Sequence, residues 1–167
     1  SAWPSLQVTA LVKANQSPHD FTLKPSDMRH IRQTDAVIWM GAEFEPYLGK
    51  VIGHQQQVDL SAVISEGDHH GHDEHNSGQE HEVHDPHLWL NPHSIPTILN
   101  LVQQQLNLAK PSLFLGEYSN WLQRANTTFA PVHSKGFVSF HDAFHFWVDE
   151  FDLNQLDIVT SNPEKPV

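Results

Sequence analysis

The stretch from Ser65 to His84 carries a single sizeable hydrophobe, Val83, among glycines, acids and histidines. Such a segment cannot bury enough apolar surface to offset the entropy of ordering it. It therefore predicts a mobile loop, and whatever core the chain has must come from the two flanks. On the first flank, Val8 to Val12 reads as a short β-like run and Asn15 to His19 as a polar loop. Pro25-Ser26-Asp27 reads as a helix start with Ser26 as N-cap, and Met28 and Ile31 give that helix an apolar side. Ala36 to Met40 is a buried-strand candidate closed by Gly41. Phe44, Tyr47, Leu48 and Val51 fall at helical spacing within a predicted helix from Glu43 to Ile52, and Val58 to Ile64 reads as a second extended piece.

On the second flank, Ile95, Ile98, Leu99, Val102 and Leu106 mark one face of a helix. A further helix is predicted from Ser112 to Thr128, with Leu115, Tyr118, Leu122 and Ala125 on one side. Phe137 to Phe140 is a strand with His141 at its C-terminal end, and Ala143, Phe144, Trp147, Val148 and Phe151 face the next helix inward. Leu156 to Thr160 closes the pattern as another strand. Strands alternating with helices indicate α/β architecture with parallel sheets. Trp39, Trp89 and Trp147 are expected in the core, and Glu43 and Glu45 as exposed acids at a helix start.

Composition narrows the function. A chain of 167 residues is one domain or two small lobes. A net charge of −11 argues against nucleic acid as partner, because phosphate binding needs a basic face. No apolar run has the length of a membrane span, so no direct membrane insertion is expected of this chain. With no cysteine, thiolate zinc sites and thiol catalysis are excluded. The 14 histidines point instead to metal handling.

Three of these histidines sit where the backbone can hold them rigidly. His19 follows Ser17-Pro18, His87 follows Asp85-Pro86, and His141 ends a strand, where α/β proteins usually place ligands. Three neutral imidazoles would leave zinc one open position, with Asp85 and Asp142 available to orient the rings. The residues alone leave open the plainer account of three unrelated surface or capping histidines. His145 lies four residues after His141, so the two could share a helix face, and His54 and His93 are weaker candidates. No Ser/His/Asp arrangement, HExxH helix or phosphate-binding glycine loop is present, so no catalytic residue is assigned.

Four stretches together resemble the zinc-type solute-binding proteins of bacterial metal ABC transporters, the ZnuA-like group. They are Ser17-Pro18-His19-Asp20-Phe21 with Lys24-Pro25-Ser26-Asp27; Ala36 to Gly41 followed by Glu43-Phe44-Glu45; the His-rich loop leading into Asp85-Pro86-His87-Leu88-Trp89-Leu90-Asn91-Pro92; and Phe140-His141-Asp142-Ala143-Phe144. The resemblance implies a two-lobed metal-type binding protein with parallel sheets flanked by helices and joined by a helix. Its boundaries would be an N-terminal α/β lobe over 1–110 with the His-rich loop at 65–84, an inter-lobe helix over 111–132, and the start of a C-terminal α/β lobe over 133–167. Against the family pattern the chain starts late and stops early, so both lobes are expected to be incomplete.

The resemblance further implies that His19, His87 and His141 bind one Zn2+ in a cleft, as cargo rather than as a catalytic cofactor. It implies secondary zinc ligands in the loop at His69, His70, His72, His75, His81 and His84. The implied function is extracytoplasmic zinc capture and delivery to a membrane ABC permease, in a periplasm or at the outer surface of a Gram-positive cell. A histidine at the third motif favours zinc over manganese. A manganese- or iron-type binding protein and a zinc-dependent hydrolase remain the alternatives.

Overall fold

A computed structural model describes residues 2–13, 21–63, 87–141 and 143–160. Helix α1 (Pro25–Arg32) opens with proline at its first position, where a missing N–H costs nothing. Its N-cap is Lys24 rather than the expected Ser26, and the Asp27 carboxylate accepts the Lys24 backbone N–H at 2.9 Å. Strand β1 (Ala36–Trp39) pairs in parallel with β2 (Gln56–Asp59), Ala36 opposite Gln56 and Trp39 opposite Asp59. Gly41, just after β1, has φ +94°. A Cβ there would meet Asp59 Oδ1 at 2.7 Å, so this turn requires glycine on both counts.

Two apolar clusters hold this pair of strands. Val58, fully buried, joins Leu60, Val63, Leu88 and Val102, the last from helix α2 (Ser94–Gln105). Trp39 joins Ile31 of α1 and Leu48. Burial of side chains this size contributes roughly 1.5–3 kcal/mol each.

Helix α3 (Ser112–Phe129) follows, then a 3-10 turn (Ala130–Val132), β3 (Phe137–His141), α4 (His145–Glu150) and β4 (Gln155–Thr160). Strands β3 and β4 are again parallel, with His141 opposite Thr160 and a register irregularity between Phe137 and Val138. Phe151, 1% exposed, anchors this second region against Phe129 of α3 (ring centroids 4.9 Å) and Trp147 of α4 (5.5 Å). Helices with parallel strand pairs make an α/β fold, as the alternation of patterns predicts.

Several local expectations fail for identifiable reasons. Val8 to Val12 forms no strand: it has no partner strand among the described residues, and Val8 is 77% exposed. Glu43 to Ile52 is a chain of turns rather than a helix, because Pro46 lacks the donor a helix interior needs. The helical spacing still did its work at one position, since Leu48 is buried. The extended piece predicted from Val58 to Ile64 begins earlier, at Gln56, and ends at Asp59; Ser61 to Val63 are helical instead, and Ile64 lies outside the described residues. Trp89 is 47% exposed, unlike the core tryptophan Trp39. The helix predicted around Ala143 to Phe151 starts only at His145.

Glu45 also departs from the exposed acid expected of it. Its backbone N–H reaches Gly41 O at 2.9 Å, and its carboxylate accepts the Met40 N–H at 2.6 Å. Burial pushes its pKa above the ordinary glutamate range, against the lowering effect of the Met40 bond. A raised folded-state pKa contributes stability below the unfolded value, and that contribution is lost as pH rises through the folded value. Glu45→Gln keeps an acceptor for Met40 and removes the charge, so at pH 7 it should melt no lower than the parent. Glu45→Ala should cost about 1–2 kcal/mol by leaving the Met40 N–H without its acceptor. Thermal melts at pH 5 and pH 7 check both; a Glu45→Gln variant as weak as Glu45→Ala would refute the account.

Candidate metal centre

His87 precedes and caps a 3-10 turn, Leu88–Leu90. Its carbonyl accepts the Leu90 N–H at 2.8 Å, and Leu88, 2% exposed, anchors the turn in the first core cluster. Asn91 closes the 3-10 turn, and its side-chain oxygen accepts the His93 N–H at 2.9 Å just before α2. These local bonds fix the backbone carrying His87, whose side chain is itself buried. His141 is the last residue of β3, half-buried, with its carbonyl accepting the Ala143 N–H at 3.1 Å. Proline and strand-end positions select these two histidines for rigidity, and the fold brings them together. Their ring centroids are 5.4 Å apart, with ring planes at 56°. Trp89 packs edge-on to His87, with ring centroids 5.4 Å apart.

The spacing has a chemical meaning. Zinc–imidazole bonds of about 2.0–2.1 Å at a tetrahedral angle put two coordinated ring centres roughly 5 Å apart. The separation of His87 and His141 matches that of two imidazoles sharing one metal ion. Among the described residues, no third histidine or carboxylate joins them to make a group of three. His19, Asp85, Asp142 and the loop histidines His69, His70, His72, His75, His81 and His84 lie outside the described residues.

The remaining candidates are placed elsewhere. His145 does not share a helix face with His141, because His141 belongs to a strand; it opens α4, and its ring lies 3.9 Å from that of Phe146. His93 pairs with the Glu150 carboxylate. His54 is exposed in the loop before β2. Glu43 is exposed and Glu45 serves its turn, so the two form no acid–base pair.

Sequence reasoning missed three side chains that hold the His87 segment. Trp147 donates its indole N–H to the Leu90 carbonyl at 2.7 Å. Tyr118 of α3 donates its hydroxyl to the Pro92 carbonyl at 2.9 Å. Glu150 takes His93. In the sequence, Trp147 and Tyr118 show only as apolar positions on helix faces, and nothing in the pattern reveals the polar atom each carries inward.

Comparison with known proteins adds the family. The profile described as zinc-uptake complex component A, periplasmic (ZnuA) matches residues 3–167. The high-affinity zinc uptake system protein ZnuA of Yersinia pestis is 29% identical over 192 residues, covering 95% of this chain and 60% of its own length. The zinc-binding protein AdcA of Streptococcus pyogenes serotype M3 is 26% identical over 180 residues, covering 90% of this chain and 35% of its own length. The chain thus spans from about a third to three-fifths of these curated relatives. Among solved structures, a zinc-bound ZnuA mutant lacking residues 138–173 superposes with a TM-score of 0.71 at 22% identity, covering 95% of this chain and 64% of the other. The metal-dependent lipoprotein YcdH of Bacillus subtilis gives 0.63 at 22% identity, over 96% of this chain and 62% of that one. These structural likenesses establish a shared fold.

Proposed function

Because the chain belongs to the family of periplasmic zinc-uptake complex A components, we propose that it captures Zn2+ outside the cytoplasm and hands it to an ABC permease. The observation that carries this reading is the pair of imidazoles, His87 and His141, held 5.4 Å apart on separate elements. The names of the relatives, zinc uptake and zinc-binding proteins, support zinc as the cargo. Imidazole ligation favours zinc over manganese, which prefers oxygen donors.

In this proposal His19 joins His87 and His141 as the third ligand of the same ion. The loop histidines His69, His70, His72, His75, His81 and His84 collect zinc more weakly, since a loop loses entropy on wrapping a metal. Residues 1–110 form one lobe and 133–167 belong to a second, joined by a helix within 111–132, so that the metal ties two lobes together. The protein works in the periplasm or on the outer face of a Gram-positive membrane, and it transports without catalysing. Its net charge of −11 favours the approach of a cation.

A competition titration of the chain lacking residues 67–84, zinc against manganese, tests the proposal. One tight zinc site with little manganese binding is expected, with fewer ions bound in total than by the full chain. Zinc affinity should fall as pH drops through about 6–6.5, where histidine takes up protons that compete with metal. Loss of the tight site on deleting the loop, or an affinity that is flat between pH 7.5 and 5, would overturn it.

A further inference from the structure

We propose that the indole N–H of Trp147 sets the spacing of His87 and His141, making Trp147 a positioning residue for the zinc site. The inference rests on the zinc-capture reading for its functional consequence, and on hydrogen bonds for its geometry.

The two histidines belong to segments far apart in sequence, one before α2 and one at the end of β3. A short chain of bonds connects them. From the His141 side, the Ala143 N–H reaches His141 O at 3.1 Å, and the Trp147 N–H reaches Phe144 O at 2.9 Å. Trp147 then crosses the gap, its Nε1–H meeting Leu90 O at 2.7 Å. From there the Leu90 N–H returns to His87 O at 2.8 Å. The bonds follow one another through adjacent or shared residues: Ala143 and Phe144, then Trp147, then Leu90. The His93–Glu150 pair and the Tyr118–Pro92 bond grip the chain two or three residues beyond Leu90.

The indole cannot swing to serve other partners. Trp121 packs edge-on to it with ring centroids at 6.0 Å, Phe129 at 5.9 Å and Phe151 at 5.5 Å. A ring held on three sides presents its single donor in one direction. A donor fixed this way pins the Leu90 peptide, and with it the turn that His87 caps. A displacement of about 1 Å in one ligand is enough to weaken a site built on fixed geometry, so supporting partners typically carry 10–100-fold of metal affinity.

The test replaces Trp147 with β-(3-benzothienyl)alanine, which keeps the bicyclic shape and removes only the N–H; Trp147→Phe serves as the genetically simple second variant. Two quantities are read on the full chain. The first is the cross-relaxation between His87 and His141 ring protons by NMR, without metal. The second is the zinc dissociation constant by competition, beside His87→Ala and His141→Ala. Expected are a weakened inter-ring signal and a zinc affinity lowered about 10-fold in both variants. An unchanged inter-ring signal in the benzothienyl variant overturns the positioning role. A weakened signal with unchanged zinc affinity, while His87→Ala and His141→Ala lose zinc, overturns its bearing on the site. If those two alanine variants bind zinc as the parent does, the zinc-capture reading fails instead, and the inter-ring signal still decides the positioning role.

Discussion

His141→Ala should abolish tight zinc binding, with His87→Ala close behind. A four-coordinate zinc gains roughly 10–16 kcal/mol in apparent binding free energy, so one ligand of four carries about 3 kcal/mol, or more than 100-fold in affinity. The reason to expect a large loss is that each histidine supplies one of few ligands. Among the described residues no other histidine or carboxylate stands with this pair. The His145 ring lies 3.9 Å from that of Phe146, and His93 is engaged by Glu150. Both alanine variants should fold, because His141 is only half-buried and His87 is held by backbone bonds that survive loss of the ring. Competition against a chelator of known affinity measures the effect. A loss smaller than about 10-fold in both would mean that the tight site lies elsewhere.

The second large effect is on stability. Phe151→Ala should destabilise the chain by about 3–4 kcal/mol, at the lower end of the range for deleting a buried aromatic. Phe151 is 1% exposed, and it packs on Phe129 and Trp147, so its loss opens a cavity between α3 and α4 that few neighbours can fill. A native protein holds only about 5–15 kcal/mol in total, so this is a substantial share. Urea unfolding reads the change directly. Phe151→Leu should recover more than half of it by refilling most of the volume; equal losses for Leu and Ala would show that ring packing, not volume, is what the site needs.

Much of the fold could be read along the chain. Helix α3 was predicted to within one residue of its end, and β3 and β4 were placed from apolar runs beside His141 and Thr160. Those elements carry continuous periodic signals. The failures came where local pattern and backbone chemistry disagreed. Helical spacing from Phe44 to Val51 was overruled by Pro46, and a β-favouring run at Val8 found no strand to pair with. Trp89 was read as core because it is large and apolar, yet it lies beside His87 with half its surface open. The candidate histidines were picked out one residue at a time, through proline and strand-end positions. The closeness of His87 to His141 was implied only by the family resemblance, since the tertiary contacts around them, such as the Trp147–Leu90 bond, leave no periodic trace.

The strand pair that ends in His141 has a consequence for handling the protein. Among the described residues β3 and β4 pair only with each other, and the edge of a sheet is where a further strand can add. Val138, Phe140, Leu156 and Val159 are all more than half exposed along the pair. A short strand pair with exposed apolar side chains is a template for association between molecules. At high concentration, self-association through this pair would compete with orderly behaviour, and a lysine at Val138 or Val159 is the natural way to blunt it.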